Sequence, residues 1–162
     1  QQYGPFYMRM TRSKVPIIYD ESQNFEIGRG ITLRDGSDCT IAACGITVKT
    51  ALDTAEQLKQ DGISCRVIDC FTVKPIDKEI LEKAARETGG IVTCEEHNIM
   101  AGFGSAVSEV VSESYPVPIR RIGAQDMFGE SARDNEIPSL FEKHGITSIN
   151  IANMVKEIRS KK

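Results

Sequence analysis

From Cys39 onward, short β-branched runs alternate with stretches of helical period, and this alternation limits the possible folds more than any other feature of the chain. Cys39–Cys44, Arg66–Asp69, Ile91–Cys94 and Ile119–Ile122 are apolar runs of strand length. Between them, Thr47–Asp61 places Val48, Ala51, Leu52, Ala55 and Leu58 on one face and stops at Gly62. Asp77 can cap a second helix carrying Ile80, Leu81, Ala84 and Ala85, which Gly89-Gly90 ends. Gly104–Ser114 has Ala106, Val107, Val110 and Val111 at helical spacing. Two short helices follow, one ending at His144-Gly145 and one presenting Ile151, Met154, Val155 and Ile158. Such alternation with short links calls for parallel strands joined by right-handed crossovers. Upstream, Ile31 and Leu33 alternate with polar residues ahead of the turn signal Asp35-Gly36. That pattern predicts a hairpin with Cys39–Cys44, hence one antiparallel pair. The expected fold is a three-layer α/β/α domain with a mixed sheet.

Several function classes are disfavoured by composition. At 162 residues one domain with an ordinary core is expected, and 27% charged with 40% hydrophobic residues is far from the disordered regime. No apolar run approaches the roughly 20 residues that span a bilayer, so no membrane is expected. The net charge of −3, with basic residues clustered only at Lys156, Arg159, Lys161 and Lys162, argues against nucleic acid. Five cysteines (39, 44, 65, 70, 94), odd in number and without a CxxC pair, read as small buried hydrophobes in a reducing, cytoplasmic compartment. The chain opens at Gln1 inside an alternation of Phe6, Met8 and Met10 against Tyr7, Arg9 and Thr11. This predicts a strand belonging to something upstream, and the polar cluster within Lys14–Asn24 predicts a linker and a boundary near Tyr19–Glu26.

Candidate chemistry is sparse. Gly102-Phe103-Gly104-Ser105 stands between a strand and a helix, where a Gly-rich loop can cradle phosphate. The dinucleotide fingerprint would need a third glycine where Val107 stands, and tight turning into the helix accounts for the glycines equally. Glu95-Glu96-His97 follows a strand at the sheet edge where ligands bind, and could move protons or serve a structural or interface role. Cys94 and His97 have a chelating spacing without a second pair to complete a metal site. Cys44-Gly45 lacks the flanking glycines of a nucleophile elbow, having Ala42 and Ile46 instead. Arg9 and Arg12 read as solvated arginines on pattern alone, although a guanidinium at a strand end can grip phosphate with two parallel hydrogen bonds.

Taken together, Gly4–Pro16, Gly36–Gly45, Arg66–Asp77 ("RVIDCFTVKPID"), Glu87–Asn98 ("ETGGIVTCEEHN"), Pro116–Gly123 and Phe128–Ser131 resemble the C-terminal part of transketolases, above all the C-terminal subunit of the split form. The resemblance implies residues 1–18 as the last strand of a pyrimidine-binding domain, 19–26 as linker, and 27–162 as a C-terminal domain with a five-stranded mixed sheet and one antiparallel edge strand. It further implies transfer of a two-carbon ketol unit between a ketose phosphate and an aldose phosphate, with thiamine diphosphate and Mg2+ held outside this chain. N-terminal transketolase domains or a separate subunit would be the partner, within a homo-oligomer of catalytic units such as a dimer. Arg12 is implied as the substrate-phosphate contact, and no catalytic, cofactor-binding or metal-binding residue is implied here. The rival resemblances are the beta subunits of 2-oxo-acid dehydrogenases and 1-deoxyxylulose-5-phosphate synthase. A stand-alone small-ligand regulatory module is the alternative of another class.

Overall fold

The computed structural model describes residues 3–11, 14–131 and 139–161. Its centre is a five-stranded sheet of β1 (Ile31–Arg34), β2 (Cys39–Ala43), β3 (Cys65–Asp69), β4 (Ile91–Asn98) and β5 (Ile119–Ala124), in the spatial order β1-β3-β2-β4-β5. β2, β3, β4 and β5 are parallel to one another, and β1 runs antiparallel to β3 at one edge. The predicted α/β class and mixed sheet with an antiparallel edge strand are therefore found.

The hairpin is not. β1 pairs with β3 rather than with β2, and β3 is inserted between them. The reason lies at Gly36, where the link out of β1 crosses the start of β3. A Cβ there would stand 2.3 Å from the carbonyl carbon of Cys65. Asp35-Gly36 thus reverses the chain as its composition suggests, but the reversed strand lands one place further along.

Helices cover both faces. α1 (Thr47–Gln60) and α5 (Ser148–Arg159) pack together on one side, α2 (Lys78–Thr88) and α3 (Phe103–Ser114) on the other, with the short α4 (Leu140–Lys143) before α5. The strands alternate as a doubly covered sheet requires. Ile41, Val67 and Val92 join the α1/α5 core, while Ala42, Ile68 and Ile91 join the α2/α3 core. Local signals set the helix ends. The Asp77 side chain accepts from the Ile80 amide at 3.1 Å, and Gly89 closes α2 in the left-handed conformation at φ +61°. Asp77 also accepts from the Gly30 amide at 2.9 Å, so the α2 cap fixes the entry to β1 as well.

All five cysteines are thiols; four are buried and Cys44 is half-buried. Burial pushes Cys65 up to about 11 and Cys44 up to about 12, and it raises Cys70 and Cys94 as well. A disulfide-exchange reagent at neutral pH should therefore label the folded chain slowly at every site, with full labelling only in denaturant. Rapid native labelling of two or more thiols would contradict this packing.

Candidate functional site

Between β2 and β4 the crossovers part company. α1 leaves β2 over one face toward β3, and α3 leaves β4 over the other face toward β5. Open α/β sheets bind ligands in the crevice outside the strand C-termini at such a switch point. Here the crevice is filled by the chain itself. The Thr47 hydroxyl lies 2.8 Å from both the Cys44 and the Cys94 carbonyls, stitching the ends of β2 and β4 together. The Cys44 thiol, held protonated by burial, donates toward the Cys94 carbonyl at 3.9 Å and is no nucleophile.

Glu95 occupies the place where a phosphate would sit. Its side chain is fully buried, and its two carboxylate oxygens accept from the Phe103 amide at 2.6 Å and the Gly104 amide at 2.8 Å. These are orphan donors of the first turn of α3, which favours an anion at its N-terminus. Burial raises the Glu95 carboxyl above the ordinary range, opposed by those two amides. The glycines make room for this internal anion: a Cβ on Gly102 would fall 2.2 Å from Glu95 Oε2, and one on Gly123 would fall 2.9 Å from its Cγ. The Gly102–Ser105 loop is thus a carboxylate cradle within the chain. A cofactor diphosphate does not fit there, since the amides it needs are taken and the space is closed. Gly102→Ala should cost about 1–3 kcal/mol through overpacking, lowering Tm by roughly 2–12 °C. A thermal melt unchanged within a degree would show that the cradle yields freely.

The Glu95-Glu96-His97 group is not brought together. β4 runs on to Asn98 instead of stopping at Cys94, and a register shift between Cys94 and Asn98 precedes its last pairing with Ala124. Glu95 is buried, Glu96 is half-buried, and His97 is exposed with Nδ1 3.0 Å from the Asn98 carbonyl. Cys94 belongs to the α1/α5 core, remote in environment from the exposed His97. Among the described residues no group of three or more His, Cys, Asp or Glu could hold a metal ion.

Two contacts at this edge were not anticipated. Arg9 is no simple solvated side chain: its Nε stands 3.5 Å from Glu96 Oε1. Tyr19, in the segment read as linker, donates its hydroxyl to Asp69 Oδ2 at 2.6 Å, at the end of β3. Asp69 is only 5% exposed, and its Oδ1 has no hydrogen-bond partner among the described residues. Burial raises both groups, Tyr19 further through its bond to the carboxylate. An aromatic residue beside a polar run, "IIYD", was the signal available. The opening residues 3–11 form no strand ladder among the described residues, and Phe6, Tyr7, Met8 and Met10 are exposed. Arg12 lies outside the described residues. Among the described residues, Glu95–His97 presents no open proton-transfer pair at this edge.

Residues 28–151 match the model of the transketolase C-terminal domain. The chain belongs to the transketolase C-terminal domain family. A 6-deoxy-6-sulfo-D-fructose transketolase subunit of Clostridium sp. (strain MSTE9) is 39% identical over 159 residues, covering 98% of this chain and 48% of its own length. The 1-deoxy-D-xylulose-5-phosphate synthase of Heliobacterium modesticaldum is 41% identical over 158 residues, covering 96% of this chain and 24% of its own. Among solved structures, a split-gene transketolase described as an inactive β4 tetramer superposes with a TM-score of 0.84 at 43% identity, over 92% of this chain and 47% of that one. The chain thus spans about half the length of the Clostridium transketolase subunit. As a transketolase C-terminal domain it has the family's α/β architecture. No helix among the described residues is long and apolar enough to cross a membrane.

Proposed function

We propose that this chain is the C-terminal portion of a thiamine diphosphate-dependent transketolase that moves a two-carbon ketol unit from a ketose phosphate to an aldose phosphate. The likeness to the split-gene transketolase carries this reading, with 43% identity along nearly the whole chain. In it, residues 1–18 close a preceding pyrimidine-binding domain, 19–26 link, and 27–162 serve assembly. Arg12 grips the terminal phosphate of the sugar. Thiamine diphosphate and Mg2+ belong to the partner domains or subunit, and the closed Glu95 cradle supports placing the diphosphate elsewhere. When bound, the cofactor would supply the carbanion chemistry. The unit would work as a homo-oligomer, in keeping with the oligomeric split-gene relative, in a reducing cytoplasm that suits its buried thiols.

The relative named a 1-deoxy-D-xylulose-5-phosphate synthase favours a second reading, with condensation in place of ketol transfer. The deciding experiment joins the chain to its partner half and offers a ketose phosphate donor, xylulose 5-phosphate, with the acceptor ribose 5-phosphate, then pyruvate with glyceraldehyde 3-phosphate. Ketol transfer is expected in the first mixture, and product only in the second would overturn the transketolase reading. By calorimetry the isolated 162 residues should bind no thiamine diphosphate in the presence of Mg2+. Micromolar binding would place the cofactor on this chain after all.

A further inference from the structure

From Tyr19 onward, the large apolar side chains left exposed among the described residues gather along one edge of the sheet. Ile27 leads into β1, whose antiparallel course starts at the edge where β3, β4 and β5 end. Val73 follows β3, Met100 follows β4, and Met127 and Phe128 follow β5. Ile149, in the first turn of α5, belongs to the same edge. Lys156, late in that helix, pairs at 2.8 Å with Asp61 at the end of α1, so the two helices run in parallel from the ends of the strands. Met100 is 60% exposed, Met127 61% and Ile149 73%, which sets them apart from the core. The opposite edge is built of ion pairs. There Arg66 meets Asp35 at 2.8 Å and Glu87 at 2.6 Å, and Arg159 meets Asp38 at 3.6 Å. Its exposed ring, Tyr115, lies under the Arg86 guanidinium at 4.5 Å.

The loops that present these side chains are held in place. The Ile99 amide donates to the Ala124 carbonyl at 2.9 Å, and the Ile99 carbonyl accepts from Arg121 at 2.9 Å and from the Ser105 hydroxyl at 3.1 Å. Asn98 Oδ1 accepts from the Met100 amide at 2.7 Å. Ala101 follows in the left-handed conformation at φ +54°, which its Cβ disfavours, and this turn keeps Met100 outward. At the other end of the edge, Phe25 meets Phe71 at 5.1 Å, and the Gly28 amide donates at 3.0 Å to the Thr72 hydroxyl beside Val73. Exposed apolar stretches of this kind mark interaction surfaces, and methionine and aromatic side chains are enriched at interface centres. A surface already ordered binds at little entropic cost.

We propose that this edge is the docking face for the partner half of the enzyme, which packs an apolar surface onto Val73, Met100 and Met127 inside a polar rim. The inference rests on the transketolase reading, which gives the chain a partner half. A small ligand does not suit the edge, because Thr47 and Glu95 close the crevice behind it. Length and direction of entry favour the partner half. The chain spans about half the length of the Clostridium subunit. It also comes onto the sheet over this edge, with the Tyr19 hydroxyl bonded at 2.6 Å to Asp69 at the end of β3. Whatever precedes Tyr19 therefore reaches the domain on its apolar side. Exposed Glu26, Lys74, His97 and Asp126 supply the rim, so the matching surface is apolar at its centre and mixed in charge around it.

The test uses the complete enzyme with both halves co-expressed, its dissociation on dilution followed by sedimentation. Val73→Asp and Met100→Asp lie on separate loops, and each should raise the Kd between the halves roughly 10- to 100-fold. Met100→Leu keeps the apolar contact and should stay within about 3-fold of the parent. Tyr115→Asp, the same change at the opposite edge, should also move Kd by about 3-fold or less. Hydrogen exchange of β2 amides reports whether each variant keeps its fold. In the parent enzyme, amides 72–74, 99–102 and 125–128 should exchange more slowly in the intact assembly than after dilution, while amides 35–38 and 62–64 should not change. An unmoved Kd in both aspartate variants would overturn the proposal, as would protection that appears at the opposite edge instead. Protection of 99–102 that persists without the partner half and grows with chain concentration would assign the edge to a second copy, and overturn it too. The underlying reading fails separately, when the halves assemble through this edge but transfer no ketol unit.

Discussion

Replacing Glu95 with alanine should destabilise the folded chain by about 3–5 kcal/mol, from two stranded amides at about 1–3 kcal/mol each together with the cavity left behind. The carboxylate is wholly buried, and both its oxygens are committed to the Phe103 and Gly104 amides. Alanine removes the acceptor without bringing water to the donors. Glu95→Gln separates the two contributions: it fills the same volume but turns an NH2 donor toward an amide donor, so roughly a third to a half of the loss should remain. Glu96→Ala, one residue on, removes only a partly exposed ion pair and should cost about 1 kcal/mol or less. Denaturant unfolding checks all three through shifts in midpoint at constant slope. A Glu95→Ala loss below about 1 kcal/mol, or one equal to that of Glu96→Ala, would mean that Glu95 is not what the start of α3 is built around.

What could be read ahead of the structure follows how local each cause is. The Asp77 cap and the Gly89 stop of α2 act within four residues, and both stand where composition placed them. The core strands β2, β3 and β4 were legible because burial on two faces demands unbroken apolar runs. The family was legible because six motifs in order compound a specificity that none has alone. The failures are all non-local. A turn signal at Asp35-Gly36 encodes a reversal of direction but cannot say whether β3 will slip in between. The end of β4 depends on β5 offering Gly123, whose missing side chain admits the Glu95 side chain and the His97 carbonyl. Glu95 was readable only as a carboxylate at the sheet edge, open to proton transfer or to a structural role, because its partners lie eight and nine residues downstream on another element. The Gly102–Ser105 loop was readable as a tight turn, yet only the fold reveals that its anion is already supplied. Arg9 shows the same limit, since its partner Glu96 is far along the chain.

Arg12→Ala, made in the complete enzyme, should lower kcat/KM for phosphorylated sugars by roughly 10- to 100-fold. A hydrogen bond to a charged group contributes about 1.5–3 kcal/mol, and about 1.4 kcal/mol is one factor of ten. Arg12→Lys keeps the charge and loses the two-pronged geometry, so it should restore only part of the rate. Hydroxypyruvate and glycolaldehyde carry no phosphate and should hardly register either change. Arg9 cannot serve as the silent control, because it is paired with Glu96 across the sheet edge. Lys14 is a better one, being exposed and cationic, and its loss should leave the phosphate preference intact. The Clostridium relative, named for a 6-sulfo sugar, supplies a sharper comparison. A sulfonate offers three oxygens with a single negative charge, against the nearly double charge of a phosphate monoester at neutral pH. If Arg12 acts by charge, Arg12→Ala should hurt the phosphate more than the sulfonate; if it acts by bidentate shape, the two losses should be alike and Arg12→Lys should rescue neither well. Equal loss on phosphorylated and unphosphorylated donors would make Arg12 a structural residue and remove it from the substrate site.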